Sequence, residues 1–459
     1  MSIETLKSYD VAIIGAGPNG LMEGCLLKAL NPKLNICILE GRSSITRDYG
    51  LSIAYDSVKR IIEVIDKALA LEETSSDVLA LEFLKKTVSD WSSHASVRTN
   101  VIQSTLTVKA KDIGVHVFIG NPYKITSTNL PQIFDANTPT DQLSPELSDL
   151  RPALSKAKVI IGADGKHSTV RKVVMGNDEE MLADEETYSY AVEVKHEIYP
   201  SSTRRPGKIK MSLNASEMGE IINESIGKPD ESNRVPVTDL ILVDEVIHNN
   251  FVVKNAQGEV VKGSPAKPWT MTELEERAKE NETVREFLDK INKQIERTKD
   301  ICHANNVAET KSPQVTTIPL SIYRCTEIAK IYLNKAVLLV GDASSGLILR
   351  RGLNKGFMEV AFSAEAVIKT FKEMGDAESF ETLPEPMRQY QVRSHETFAN
   401  EKWWIEKYAK LIDFLKWPLR HIVMPVYHFT ASILNKAILP IRRAIDAYAN
   451  AVGTAQAYT

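Results

Sequence analysis

The sequence predicts an α/β fold with an inserted sheet-based domain and a helical C-terminal tail. A β-branched apolar run at Val11–Ile14 enters a glycine-rich turn, which is typical of a buried strand. Similar runs precede Gly162 and Gly341, so this pattern occurs three times. Between residues 177 and 330, apolar and polar residues alternate, as they do in half-buried strands of a mixed or antiparallel sheet.

Residues 9–42 are expected to form a Rossmann-type βαβ unit. The first strand is followed by a glycine-rich turn that opens a helix, and a second apolar run ends at Glu40. In such a turn Gly15 permits the sharp bend, Gly17 lets a pyrophosphate approach, and Gly20 lets helix and strand pack closely. Glu40 stands about 20 residues further on, where an acid accepts a hydrogen bond from a ribose 2′-OH. The unit indicates a dinucleotide site; the alternative is a glycine turn in another α/β protein.

The composition is that of an ordinary globular protein with two or three domains. The chain has 459 residues and a formal net charge of −4, from 56 Lys and Arg against 60 Asp and Glu. This balance gives no bulk attraction to nucleic acid, which is not expected as a partner. The first ten residues contain no apolar signal core, and no long uninterrupted apolar run suggests a transmembrane span, so we expect a cytoplasmic protein.

The cysteines indicate free thiols in a reducing compartment. Cys25, Cys37, Cys302 and Cys325 show neither a CxxC motif nor metal-type spacing, so no metal site is expected. Cys25 and Cys37 fall in predicted core elements and should be buried.

Several further elements follow from periodicity. Helices are expected around residues 58–65, over 76–90 and over 101–110, with a strand at 115–119. Residues 126–157 are rich in Ser, Thr, Pro and Asp and suggest an irregular excursion or short hairpin outside the core. The charged stretch 270–301 suggests one helix, or two that separate near residues 280–283.

The three glycine motifs together resemble those of the class A FAD-dependent monooxygenases, the aromatic-hydroxylase superfamily. They read GAGPNG at 15–20, GADGKHSTVRK at 162–172 and GDASSGLILRRGLNKGF at 341–357. The resemblance implies FAD as cofactor and NAD(P)H as reductant. The opening and the RGLNKGF stretch are also similar to MICAL-type monooxygenases, which oxidise protein methionines.

The resemblance also implies a division into domains. A first part of the FAD-binding domain would cover residues 1–176, a substrate domain 177–313, and a second part with the GD motif 314–380. A C-terminal helical region would cover 381–459, interrupted at Pro418, Pro425 and Pro440. Its aromatic and basic residues suggest peripheral membrane or protein contact, or a helical cap packed on the FAD domain, which we favour.

Carried over residue by residue, the motifs imply a cofactor-binding set. Its members surround the ADP half, the flavin chain and the ring; they are Gly15, Ala16, Gly17, Pro18, Asn19, Gly20, Glu40, Arg42, Arg47, Arg98, Gln103, Ile125, Asp164, Gly165, Asp342, Gly352, Leu353 and Asn354. By this resemblance, Glu40 would bind the adenosine ribose and Asp342 the ribityl chain or pyrophosphate. Backbone N–H groups of the last three would lie near the isoalloxazine, at a helix N-terminus that stabilises negative charge.

The third motif departs from the family's usual pattern. Ser344 and Ser345 replace Ala-His, no proline stands between Asp342 and Asn354, and the loop is shorter and carries Arg350 and Arg351. We expect a monooxygenase acting on an organic or protein side-chain substrate. Two alternatives are an FAD-binding or flavin-free scaffold for partner recognition, and a flavin reductase acting on a lipid-like substrate.

The reaction itself assigns no catalytic residue, because the flavin carries the difficult step. Tyr323 and Arg324 are candidates for lining the substrate pocket, although a strand end with an exposed Arg explains them better. His167 could be an acid–base group, but a solvent-facing turn residue is the favoured interpretation.

Overall fold

The computed structural model describes most of the chain between residues 8 and 418. The described residues are 8–44, 50–51, 53–70, 77–94, 97–135, 137–141, 143–176, 181–199, 221–226, 235–243, 269–301, 308–347, 350–375 and 379–418. The chain divides into two compact units, residues 1–203 with 223–402, and residues 204–222 with 403–459. In the second unit only 221–222 and 403–418 are described, the latter as the end of a helix.

The strands and helices of the described residues have the following bounds. The strands are β1 Val11–Ile14, β2 Ile36–Glu40, β3 Gly50–Leu51, β4 Val97–Arg98, β5 His116–Ile119, β6 Val159–Gly162, β7 Leu182–Tyr199, β8 Ile221–Ile226, β9 Val235–Val243, β10 Trp269–Thr270, β11 Ala308–Cys325, β12 Ala329–Tyr332, β13 Lys335–Leu339 and β14 Ser345–Gly346. The helices are α1 Pro18–Leu30, α2 Tyr55–Ala70, α3 Val78–Ser93, α4 Thr99–Asp112, α5 Asn129–Phe134, α6 Pro145–Leu154, α7 Met271–Glu280, α8 Glu282–Ile301, α9 Arg350–Met374 and α10 Glu385–Pro418.

The first sheet explains why the glycine motifs meet. Its strand order is β12-β13-β6-β1-β2-β5, and all neighbours are parallel except the β12–β13 pair. Ile14 lies opposite Gly162, and Gly162 lies opposite Leu339, so β1, β6 and β13 end level with one another. Because parallel strands share one carboxyl edge, the loops that follow these three strands emerge side by side. From β1 the sheet grows on one side through β2 and β5, and on the other side through β6 and β13. This reversal of direction between β1 and β6 makes their carboxyl edge a topological switch point.

The second sheet is antiparallel and covers the region of predicted half-buried strands. Strands β10, β11, β7 and β9 are neighbours in that order, and β14 also pairs with β11. Helices α7 and α8 pack on it through buried Leu274, Phe287 and Ile291 against Val192 and Val315. Residues 270–301 form two helices that separate at Asn281, which is one of the two arrangements that the sequence suggested. The predicted domain limits stay predictions.

The expectation for residues 126–157 is wrong. This segment contains α5 and α6, and it contributes to the main core through Leu130, Ile133, Phe134, Leu147, Leu150 and Leu154. The polar residues that suggested a loop are helix caps: the Ser144 hydroxyl accepts the N–H of Leu147 at 3.2 Å, and Pro145 is the first helical residue. Both helices are too short for their apolar periodicity to stand out.

Other expectations are confirmed. The helices and the strand predicted before residue 120 are α2, α3, α4 and β5, each within a few residues. Cys25, Cys37 and Cys325 are buried free thiols, whereas Cys302 lies outside the described residues. In the described part of the chain, no helix is both long and apolar enough to cross a bilayer. The predicted breaks at Pro425 and Pro440 lie outside the described residues, and α10 ends at Pro418.

Candidate nucleotide-binding site

Three loops follow β1, β6 and β13, and we call residues 15–20 the first loop, 163–168 the second and 341–346 the third. The first loop is shaped by missing side chains. Gly15 has φ +109°, and a Cβ there would lie 2.5 Å from the Ala163 carbonyl oxygen of the second loop. A Cβ at Gly20 would lie 2.1 Å from the Gly15 carbonyl oxygen. Neither backbone oxygen can retreat easily, so both positions require glycine.

Gly17 differs from these two glycines because its missing side chain faces open space. It is the N-cap of α1, with φ −68° and ψ 172°, and no side chain caps the helix there. No atom lies within 4 Å of the position of its Cβ. The first N–H groups of a helix have no intrahelical partner and carry positive potential, so this space suits an anion such as a pyrophosphate.

The Ala16 peptide between these glycines is held on both sides. Its N–H donates to Glu40 Oε2 at 3.0 Å, and its carbonyl accepts from Gln103 Nε2 at 2.9 Å. The half-exposed Arg42 donates to both carboxylate oxygens of Glu40, at 2.9 and 3.0 Å. Burial tends to raise the pKa of Glu40, but the hydrogen bonds from Arg42 and Ala16 outweigh it, so the pKa lies below its usual value. Glu40 is therefore ionised and can accept further hydrogen bonds.

The second loop carries a carboxyl with one unused oxygen. Asp164 Oδ2 accepts the N–H groups of Thr169 at 2.6 Å and Val170 at 3.3 Å. Its Oδ1 is buried and has no hydrogen-bond partner among the described residues. Burial raises the pKa of Asp164, and hydrogen bonds from Ser168, Thr169 and Val170 oppose that rise. The adjoining Gly165 has φ +84° with open space at its Cβ position.

Asn19 joins the first loop to the third. A Cβ at Gly341 and a Cβ at Gly356 would each lie 2.2 Å from Asn19 Nδ2, so the amide sits between these two glycines. Gly341 also has φ +62°, a left-handed conformation that favours glycine. Asn19 Oδ1 is buried without a hydrogen-bond partner among the described residues.

Arg171 joins the second loop to the third. Its side chain is 1% exposed and donates to the carbonyls of Ala343 at 2.9 Å and Lys166 at 2.6 Å. The Arg171 guanidinium lies 5.6 Å from the centre of the Tyr323 ring. The Tyr323 hydroxyl donates to the Asp342 carbonyl at 2.6 Å. Tyr323 is thus a buried residue that supports the third loop, rather than a pocket-lining residue or an exposed strand end. Arg324 is half-buried, and His167 is exposed.

The three predicted residues Gly352, Leu353 and Asn354 lie at the start of α9. The helix begins at Arg350, so Gly352 lies in its first turn, and Leu353 and Asn354 follow it directly. The side chain of Asn354 makes a hydrogen bond outside the helix, because its Oδ1 accepts the N–H of Ala54 at 3.0 Å. A Cβ at Gly352 would lie 3.2 Å from Asp342 Oδ1, so this carboxylate adjoins the first turn of α9.

The remaining predicted residues include Arg98, Ile125 and Arg47. Arg98 ends β4 and is the N-cap of α4, the helix that carries Gln103. Ile125 is buried in the main core, and its neighbour Lys124 packs against Gly41, just after Glu40. Arg47 and the side chains of Arg350 and Arg351 lie outside the described residues and atoms.

Sequence reasoning missed a buried ion pair behind the third loop. Lys355 and Glu359, four residues apart on α9, are 1% and 0% exposed at their side chains. Glu359 Oε2 accepts the N–H of Gly341 at 2.8 Å, and Lys355 donates to Ser345 Oγ. The available signal was a Lys–Glu pair at helical spacing on an otherwise apolar face, beside the unusual Ser344-Ser345 sequence.

The residues present fit a dinucleotide such as FAD. The open space at Gly17 faces a helix N-terminus, Glu40 offers an ionised acceptor, and two buried acceptors, Asn19 Oδ1 and Asp164 Oδ1, have no partner among the described residues. Buried acceptors in folded proteins are nearly always satisfied, and hydroxyl groups of a bound nucleotide would supply donors.

Comparison with known proteins leaves the family open. No protein-family model matches the chain, and no curated protein matches it significantly. Among solved structures, the OxyS anhydrotetracycline hydroxylase from Streptomyces rimosus aligns with a TM-score of 0.47 at 13% identity, covering 90% of this chain and 73% of that one. The flavin-dependent brominase Bmp2 aligns with a TM-score of 0.49 at 12% identity, covering 95% and 99%. The tetracycline destructase Tet(51) aligns with 0.46 at 12% identity, covering 86% and 89%. Likeness at this level does not assign an activity to the chain.

Proposed function

We propose that this chain is an FAD-dependent oxidoreductase of the monooxygenase type, which uses NAD(P)H and transfers one oxygen atom to an organic or protein side-chain substrate. The observation that carries the proposal is the convergence of three glycine-bearing loops at one carboxyl edge of the parallel sheet. Asn19 contacts Gly341 and Gly356, Gly15 contacts Ala163, and Arg171 contacts Ala343. Dinucleotides bind in the crevice outside the carboxyl ends of parallel strands at a topological switch point, which is where these loops meet.

The chain's own residues would then divide the work of binding. The N-terminus of α1 at Gly17 would receive the pyrophosphate, and Glu40 would accept a hydrogen bond from the adenosine ribose. Asp342 and the first turn of α9, at Gly352, would hold the ribityl end and offer positive potential to the ring. Asp164 Oδ1, which is buried without a partner among the described residues, would accept a hydrogen bond from a ligand hydroxyl.

Bound FAD would supply the redox chemistry, accepting a hydride from NAD(P)H and passing electrons to oxygen. The protein's part is to orient the cofactor and to exclude water from its reactive side. No general base is needed for this division of labour, which agrees with the absence of an obvious catalytic acid or base from the sequence motifs.

Purified protein tests the proposal directly. We expect a yellow preparation with the visible absorbance of oxidised flavin, which consumes NADPH or NADH in air and releases hydrogen peroxide when substrate is absent. A yellow protein that consumes neither reductant would instead be an FAD-binding scaffold. A colourless protein that does not bind added FAD would contradict the proposal. Reductant consumption that needs a lipid-like acceptor and yields no peroxide would point to a reductase.

A further inference from the structure

The buried pair Lys355–Glu359 lies in the helix that follows the third loop. Both side chains are almost completely excluded from water. Burial of charge is costly unless the charges are paired and hydrogen-bonded, and an apolar pair of similar size would often be as stable. A buried ion pair therefore calls for a role beyond stability, such as fixing one conformation of its surroundings.

The partners of Glu359 lie in the third loop, in α9 itself and in α10. Its Oε2 accepts the N–H of Gly341 at 2.8 Å, and Ser344 Oγ lies 2.8 Å from both carboxylate oxygens. Lys355 and the hydroxyl of Ser394, from α10, donate to Oε1. The carboxylate thus holds the first and fourth residues of the loop at the same time.

Lys355 extends this hold to the next residue of the loop. Its ammonium donates to Ser345 Oγ and lies 3.4 Å from Ser344 Oγ. The same ammonium lies 6.0 Å from the centre of the Phe398 ring of α10. The serines that depart from the family's usual sequence are therefore the hydroxyl partners of the buried charges.

Asp342 lies between these anchored residues. Gly341 before it and Ser344 and Ser345 after it are held by the ion pair, while Tyr323 and Arg171 hold the carbonyls of Asp342 and Ala343 from the other side. The Asp342 carboxylate adjoins Gly352 in the first turn of α9. A shift of the loop would move this carboxylate away from the helix N-terminus.

We propose that Lys355 and Glu359 are positioning residues for the third loop, which set the place of Asp342 and of the first turn of α9 for the cofactor. The cofactor part of this inference rests on the proposed function; the loop part does not. Neither side chain is open to a ligand, because both are almost completely excluded from water.

The principal variant is Lys355→Met, which keeps the length and apolar stem of the side chain and removes its charge. Glu359 then keeps Gly341, Ser344 and Ser394 as hydrogen-bond donors. The matched control is Ser363→Ala, which removes the buried hydrogen bond from the same helix to Glu23, away from the loop. If Lys355→Met does not fold, the double variant Lys355→Met/Glu359→Gln is measured instead, because it removes both charges and keeps an acceptor for Gly341.

Two measurements on the full chain decide the matter. Amide hydrogen exchange over residues 340–347 should quicken about tenfold or more in the Lys355 variant and stay within about twofold of wild type in the control. The Kd for FAD, measured by flavin fluorescence quenching, should rise about tenfold in the Lys355 variant only. Rescue by Lys355→Arg, which restores the charge, should bring both values back toward wild type.

Equal exchange in the Lys355 variant and the control would overturn the loop part. Quickened exchange with an unchanged Kd for FAD would overturn the cofactor part and leave the pair a structural one. If wild-type protein binds no FAD, the proposed function fails, and the exchange comparison still decides whether the pair positions the loop.

Discussion

The first and third loops lie at the same edge of the parallel sheet, but different features fix their shapes. The first loop owes its shape to missing side chains, since a Cβ at Gly15 or Gly20 would meet backbone atoms closer than 3 Å. The third loop also begins with a glycine, but side chains hold the residues after it, because Tyr323, Arg171 and the Lys355–Glu359 pair bind the loop by hydrogen bonds. Glycine spacing is visible in a sequence, whereas a hydrogen-bond network between distant residues is not. The sequence therefore predicts the shape of the first loop, but for the third loop it predicts only the position at the end of a strand.

The largest effect should come from filling the first loop. In Gly20→Val, the new Cβ would lie 2.1 Å from the Gly15 carbonyl oxygen, so the loop must open. We expect a loss of about 4 kcal/mol or more in the free energy of unfolding, measured by urea denaturation, or failure to fold. Gly17→Ala is the control and should cost less than about 1 kcal/mol, because its Cβ meets no atom. Equal losses in the two variants would break the distinction between the glycines.

A pH-dependent effect should come from the buried contact between α1 and α9. Glu23 on α1 is fully buried and accepts a hydrogen bond from Ser363 on α9. Burial raises the pKa of Glu23 to about 8, although the Ser363 hydrogen bond opposes the rise. With a folded pKa above the unfolded value of 4.5, stability is full below pH 4.5 and is lost as pH rises to about 8.

Glu23→Gln should remove this dependence. Relative to wild type, the variant should gain about 3 kcal/mol of unfolding free energy between pH 5 and pH 8, because wild type must keep a buried carboxyl protonated while the unfolded chain releases its proton. Urea denaturation at several pH values would measure the gain. A constant difference between the two proteins across that range would show that Glu23 does not carry a raised pKa.

A smaller effect should come from the third loop. Tyr323→Phe removes the hydroxyl that donates to the Asp342 carbonyl at 2.6 Å and keeps the ring beside Arg171. We expect a loss of about 1–2 kcal/mol in unfolding free energy, because a buried carbonyl loses its donor. Thermal unfolding would detect this change. A neutral result would mean that the polar contacts of the third loop are less important than the comparison implies.

Much of the fold was readable from local patterns. The runs ending at Ile14, Gly162 and Leu339 became neighbouring parallel strands, and their glycine turns converged at one edge. The failures have physical causes. In residues 126–157, Ser144 and Pro145 begin a helix, but the same residue types are also typical of turns, so the composition alone predicts a loop.

The candidate site shows the same limit. Motif positions identify Glu40 and Gln103 in the sequence. The two hydrogen bonds by which they bind the Ala16 peptide are visible only in the folded structure. Arg171 stands inside the second motif, and nothing local in the sequence indicates that it reaches Ala343. Lys355 and Glu359 were ordinary helix residues by sequence, since their burial depends on α10 and on the third loop packing over them.

The central claim is that a dinucleotide lies against the open face of Gly17. Gly17→Asn tests it most directly, because asparagine is a favoured N-cap that should keep the stability of α1 while filling the open space. We expect an unfolding free energy within about 1 kcal/mol of wild type, together with loss of flavin absorbance from the purified protein. A stable Gly17→Asn protein that keeps its full flavin absorbance would contradict the account.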